Sequence, residues 1–86
     1  MGVILSSVYQ RKDLIISELS IRTPSNMELD LMEKAKKKWE DDYEQGKNIR
    51  IVNEGFIITI SAEFQLEEKE SANLFPSFVS DFIEEN

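Results

Sequence analysis

The stretch IRIVNEGFIITISAEFQL, residues 49–66, decides the fold. Apolar side chains alternate through Ile49 and Ile51, stop at Asn53-Glu54-Gly55, and resume as Phe56, Ile58, Ile60, Ala62, Phe64 and Leu66. A period of two is the pattern of a strand with one buried face. The glycine in the three-residue interruption supplies the positive φ of a tight turn, so the stretch predicts a β-hairpin with Phe56 to Leu66 along its core face.

Upstream, the period changes. Ser25-Asn26-Met27-Glu28 reads as a capping box, in which the serine hydroxyl serves the backbone N–H of Glu28 and the carboxylate reaches back. Met27, Leu31, Ala35, Trp39 and Tyr43 then recur every fourth residue, widened by Met32, which predicts a helix over 26–45 stopped by Gly46. Residues 3–9 and 14–22 are rich in Val, Ile and Leu around Arg11-Lys12-Asp13. They predict a second hairpin in preference to a helix over 8–19, because β-branched residues and the alternation at Leu19 and Ile21 suit a strand. Downstream, residues 67–73 read as a charged connection. Phe75, Phe78, Val79, Phe82 and Ile83 then give a short helix with Pro76 in its first turn.

The expected fold class is therefore α+β. A small single domain over 1–86 has an antiparallel sheet in the order β-β-α-β-β-α, with a long middle helix and a short C-terminal helix packed on one face. Trp39, Phe56, Ile58, Phe64 and the tail phenylalanines form its expected core, and no internal repeat is apparent. With 41% apolar residues in 86, the chain has enough to bury one core and not two.

Composition restricts the chemistry. The chain has no cysteine and no histidine. Disulfides, thiolate metal sites, cysteine nucleophiles and the usual base of a serine triad are excluded, and a reducing cytoplasm fits. The three glycines are scattered and no phosphate-cradling motif occurs. The expectation is a protein without catalysis, cofactor or metal. Asp30 with Glu33, and Asp41 with Asp42, are read as solvated surface carboxylates because no metal-loop spacing accompanies them. The longest apolar runs have three residues, far short of a membrane span, and residues 1–8 do not read as a secretory signal.

Seventeen acids against ten bases leave a net charge of −7. Such a molecule is repelled by nucleic acid and anionic membrane and attracted by basic protein surfaces. The run Lys34 to Lys38 does not alter this. Asp30, Glu33, Glu40, Asp41 and Asp42 lie at helix-pairing distances from its lysines, and no aromatic platform is interleaved with it.

The acids themselves carry the functional expectation. Glu40, Asp41, Asp42 and Glu44 close the middle helix. Glu67, Glu68 and Glu70 follow the hairpin, and Asp81, Glu84 and Glu85 close the tail helix. A carboxylate at a helix C-terminus is unfavourable by about 0.3–1 kcal/mol, so stability alone does not ask for two of these groups. The reading is a small inhibitor whose carboxylates stand in for phosphates on the basic groove of a protein, such as a nuclease or another nucleic-acid enzyme. Its size and charge resemble those of small phage-encoded inhibitors of host defence nucleases, a likeness of profile that no motif carries. The alternative is an antitoxin, an immunity-type protein or an assembly subunit, possible as a homodimer. It would bind through the tail helix around Phe75, Phe78 and Phe82 or through an open sheet edge.

Overall fold

The computed structural model describes residues 3–86. Two hairpins and two helices follow one another: β1 (Val3–Arg11), β2 (Leu14–Arg22), α1 (Asn26–Asp42), β3 (Lys47–Asn53), β4 (Ile57–Gln65), and α2 (Lys69–Glu85), the last entered through one 3-10 turn at Leu66–Glu68. The strands form one antiparallel sheet in the spatial order β1-β2-β4-β3, and both helices cover one face. The α+β class, the strand order along the chain and the N-terminal hairpin are as expected. No helix among the described residues is long and apolar enough to cross a membrane.

The core lies between the helices and the side chains that β2 and β4 direct at them. Leu19, Ile21, Ile58, Ile60, Ala62 and Phe64 meet Met32, Ala35 and Trp39 of α1 and Ala72, Phe75 and Val79 of α2, all essentially inaccessible to solvent. The capping box of α1 is present in both directions. Glu28 N–H donates to Ser25 Oγ at 3.1 Å, and Ser25 N–H donates to Glu28 Oε1 at 2.9 Å. Ser25→Ala is expected to lower stability by about 1 kcal/mol in chemical denaturation, because it leaves a first-turn N–H without its acceptor.

Several expectations need correction. Phe56 is outside the core: it sits in the β3–β4 turn, beyond the reach of the helices, and its side chain is 80% exposed. Leu66, the other end of the expected apolar row, leaves the strand for the 3-10 turn and is also exposed. The row that is buried on β4 runs only from Ile58 to Phe64.

The C-terminal helix is not short. It has 17 residues, as many as α1, and it begins at Lys69, so most of the charged connection is helical. Pro76 is consequently inside the helix rather than in its first turn. A proline has no N–H to give the carbonyl four residues back, here Ala72. The hydroxyl of Ser17, on β2 and fully buried, donates to that carbonyl at 2.8 Å instead. A strand side chain thus replaces the missing helix bond, and the apolar face of α2 continues through the proline. Phe75 is completely buried as a result and offers no surface to a partner, while Phe78 and Phe82 pack partly buried against the core.

The chain also contains a repeat. The step from Leu14 to Ile57 carries β2 onto β4, and the equal step from Asn26 to Lys69 carries α1 onto α2, with matching lengths. The central pairing obeys the same operation, since Leu14↔Gln65 and Arg22↔Ile57 exchange under it. Two ββα halves are therefore related by an approximate two-fold axis between β2 and β4. Each helix lies over the hairpin of the other half: α1 over β3 and β4, α2 chiefly over β2 and β1. Within β2/β4 and α1/α2, only Ile15/Ile58 and Leu31/Leu74 are identical, so what repeats is the order and length of the elements, with the burial alternation of β2 repeated in β4.

Candidate functional site

The two-fold arrangement runs the helices antiparallel, so the C-terminal end of α1 meets the N-terminal end of α2. Trp39 is the joint. Its ring is T-shaped against Phe75 at 5.0 Å and Phe78 at 5.3 Å and is stacked on Tyr43 at 4.0 Å. Its Nε1–H donates to the Gln45 carbonyl at 2.9 Å, folding the chain back after the helix. Gly46 follows at φ +98°, and a Cβ there would come within 3.0 Å of Trp39 Nε1. Only glycine combines that backbone angle with that approach. Across the joint, Ser71 Oγ donates to Gln45 Oε1. Within the second segment, Gln65 N–H donates to Glu68 Oε1 at 2.8 Å, closing the start of the 3-10 turn.

Segments 40–45 and 65–71 therefore lie side by side at one end of the helical layer. Seven carboxylates, Glu40, Asp41, Asp42, Glu44, Glu67, Glu68 and Glu70, are gathered there with two ammonium groups, Lys69 in the second segment and Lys38 just before the first. Asp42 is engaged by Lys38 at 3.0 Å. The hydrogen bond from Lys38 to Asp42, with the charge attraction behind it, raises the Lys38 pKa. That pair therefore persists through neutral pH, and its contribution is lost only as pH rises through the raised value. Glu40, Asp41, Glu44, Glu67 and Glu70 are exposed and have no ion pair within 4 Å among the described residues.

Asp81, Glu84 and Glu85 are elsewhere. They close α2 at the opposite end of the layer, about 25 Å away for a helix of this length. Glu84 shares a surface hollow there with Ser25, Met27 and Glu28 at the start of α1. The ten acids named from the sequence therefore form one group of seven and a separate group of three.

The antiparallel packing also revises the argument from helix polarity. Each acidic C-terminus lies beside the N-terminus of the other helix, whose partial positive charge offsets part of the penalty. Glu67, Glu68 and Glu70 stand at the start of α2, where acids are favoured outright.

The sheet face opposite the helices has the contrary character, which the linear sequence hid. Alternation puts Arg11, Arg22, Lys47 and Arg50 on that face with only Glu18 and Glu63. Arg11 reaches Glu63 at 3.9 Å, and Asn48 Nδ2 donates to the same carboxylate at 2.8 Å. Strand parity could have revealed this segregation, but only once the pairing of β2 with β4 was known. Among the described residues, no three acids are arranged to hold a metal ion. No family model, curated protein or solved structure matches the chain.

Proposed function

We propose that the protein is a non-catalytic inhibitor that docks its acidic pole on the basic surface of another protein and blocks it. The pole comprises Glu40, Asp41, Asp42, Glu44, Glu67, Glu68 and Glu70. The observation that carries this reading is the convergence of two acidic segments, distant in sequence, on one end of the helical layer, with most of their carboxylates unpaired. Asp81, Glu84 and Glu85 lie outside the docking surface.

Grouped carboxylates on a rigid support can take positions that phosphates would take in a groove lined with Lys and Arg, and each contact is a charge-assisted hydrogen bond. The partner is then a nuclease or another nucleic-acid enzyme, and inhibition follows from occupancy. The protein itself binds neither nucleic acid nor membrane in this reading. A cysteine-free chain of this charge suits the cytoplasm, and the anti-defence role of a phage or mobile element suits an inhibitor of this kind.

The test begins with capture of the partner from the native host on the immobilised protein. Binding is then measured for the wild type and for Asp41→Lys/Asp42→Lys. The double reversal is expected to lower the association rate by about tenfold or more, and wild-type affinity is expected to fall steeply as salt rises. An unchanged rate, or binding indifferent to salt, removes the acidic pole from the interface. Competition by nucleic acid for the captured partner is the further expected result.

A further inference from the structure

The two edges of the sheet are guarded differently. β3 carries Lys47 and Arg50, its register breaks between these residues, and Asn48 within the break is at φ +49°. Charge and irregularity of this kind prevent an edge from pairing with another strand. β1 has neither. Its nine residues pair with β2 without a register shift, it contains no proline, and from Val3 to Gln10 it has no charged side chain. Val3, Leu5, Val8 and Tyr9 are 57%, 53%, 37% and 40% exposed. Its outer row of N–H and C=O groups has no strand against it among the described residues.

We propose that β1 pairs with β1 of a second copy, antiparallel and centred on Ser6, joining two four-stranded sheets into one of eight strands. The second copy is the occupant because the strand is complementary to itself. Centring on Ser6 sets Val3 against the second copy's Tyr9 on the open sheet face. It also sets Ile4 against the second copy's Val8 on the helix side. Leu5 and Ser7 fill the remaining positions, and no two like charges are opposed. Aromatic and β-branched residues in direct opposition are favourable cross-strand pairs.

Net charge points to the same edge. Two molecules of charge −7 repel each other, and close approach is least opposed where carboxylates are sparse. The carboxylates nearest the strand flank it: Asp13 in the turn after it, Glu18 one strand inward, Glu63 beside Arg11, and Asp81 on α2. Arg11 and Arg22 lie at its two ends on the open face. The contact makes no use of the acidic pole, so the two proposals stand or fall separately. Raising salt screens the mutual repulsion and strengthens self-association, the reverse of its expected effect on docking by the pole.

The native chain has no cysteine, so a single Ser6→Cys substitution reports the geometry cleanly. Residues directly opposed in antiparallel strands are about 4.5–5.5 Å apart at Cα, within disulfide range. Mild oxidation of S6C is expected to give a covalent dimer as the main product. Asn53→Cys, on the other edge, is expected to stay monomeric. Sedimentation of the full chain should show a monomer–dimer equilibrium that shifts toward dimer with salt. Val8→Lys should raise the dimer dissociation constant about tenfold or more, with an unchanged circular dichroism spectrum. A monomer at all accessible concentrations overturns the proposal. So does a dimer in which S6C crosslinks no better than N53C, or one that V8K leaves intact.

Discussion

Trp39→Ala is expected to unfold the protein at urea concentrations where the wild type is still fully folded. The side chain is completely buried, touches Phe64, Phe75, Phe78 and Tyr43, and holds the Gln45 carbonyl that turns the chain into β3. Removing a buried aromatic of this size costs about 3–5 kcal/mol. A domain of 86 residues has on the order of 5–10 kcal/mol in total. Circular dichroism during urea denaturation measures the change, since the substitution deletes the chain's single tryptophan fluorophore. Trp39→Phe separates two contributions. It keeps a ring among the aromatics but has no N–H for Gln45, so it should lose a smaller part of the stability. If W39A unfolds at nearly the wild-type urea concentration, the helices are not joined through this residue as described.

The second large effect concerns Ser17. Ser17→Ala removes the hydroxyl that donates to the Ala72 carbonyl, which Pro76 leaves without its helix donor. A buried carbonyl without a partner costs about 1–3 kcal/mol. The diagnostic measurement is a double-mutant cycle with Pro76→Ala. Alanine at 76 restores an N–H four residues after Ala72, so in that background Ser17→Ala should cost distinctly less. A coupling of about 1 kcal/mol or more between the two sites is expected. Equal costs in both backgrounds would mean that the hydroxyl does not substitute for the helix bond. Because Ser17 and Ala72 join β2 to α2, the cycle also probes how firmly the second helix is fixed to the sheet. Glu67, Glu68 and Glu70 are held in position by that helix.

Much of this organisation is legible in the chain. Ser25 and Glu28 announce the start of α1 through a local hydrogen-bond exchange that depends on four consecutive residues. Asn53 and Gly55 do the same for the second turn, where Gly55 N–H donates to Asn53 Oδ1 at 2.9 Å and φ is +88°. Alternation identified β4, and the isoleucines of β2 identified the first hairpin against the competing helix. Such signals work because they arise from contacts within a few residues. Phe56 shows where they stop: the alternation continued through it, but burial needs something opposite, and no helix extends over that turn.

The candidate site divides in the same way. That acids would cluster at 40–44, 67–70 and 81–85 is a property of the sequence and was read from it. That the first two groups would become one pole, and the third be sent to the far end, depended on the antiparallel pairing of β2 with β4. That pairing fixes the two-fold relation of the halves and with it the direction of each helix. Pro76 was decided in the same place, since its position inside a helix is tolerable only because Ser17, 55 residues away in sequence, reaches its orphaned carbonyl. Sequence alone determined the order of the elements, the sign of the charge and the absence of cysteine and histidine chemistry, because these are local or compositional. Tertiary structure alone decided which charges are neighbours, which apolar residues are covered and which sheet edge is left open. Those outcomes depend on contacts between segments whose separation along the chain carries no signal of their meeting in space.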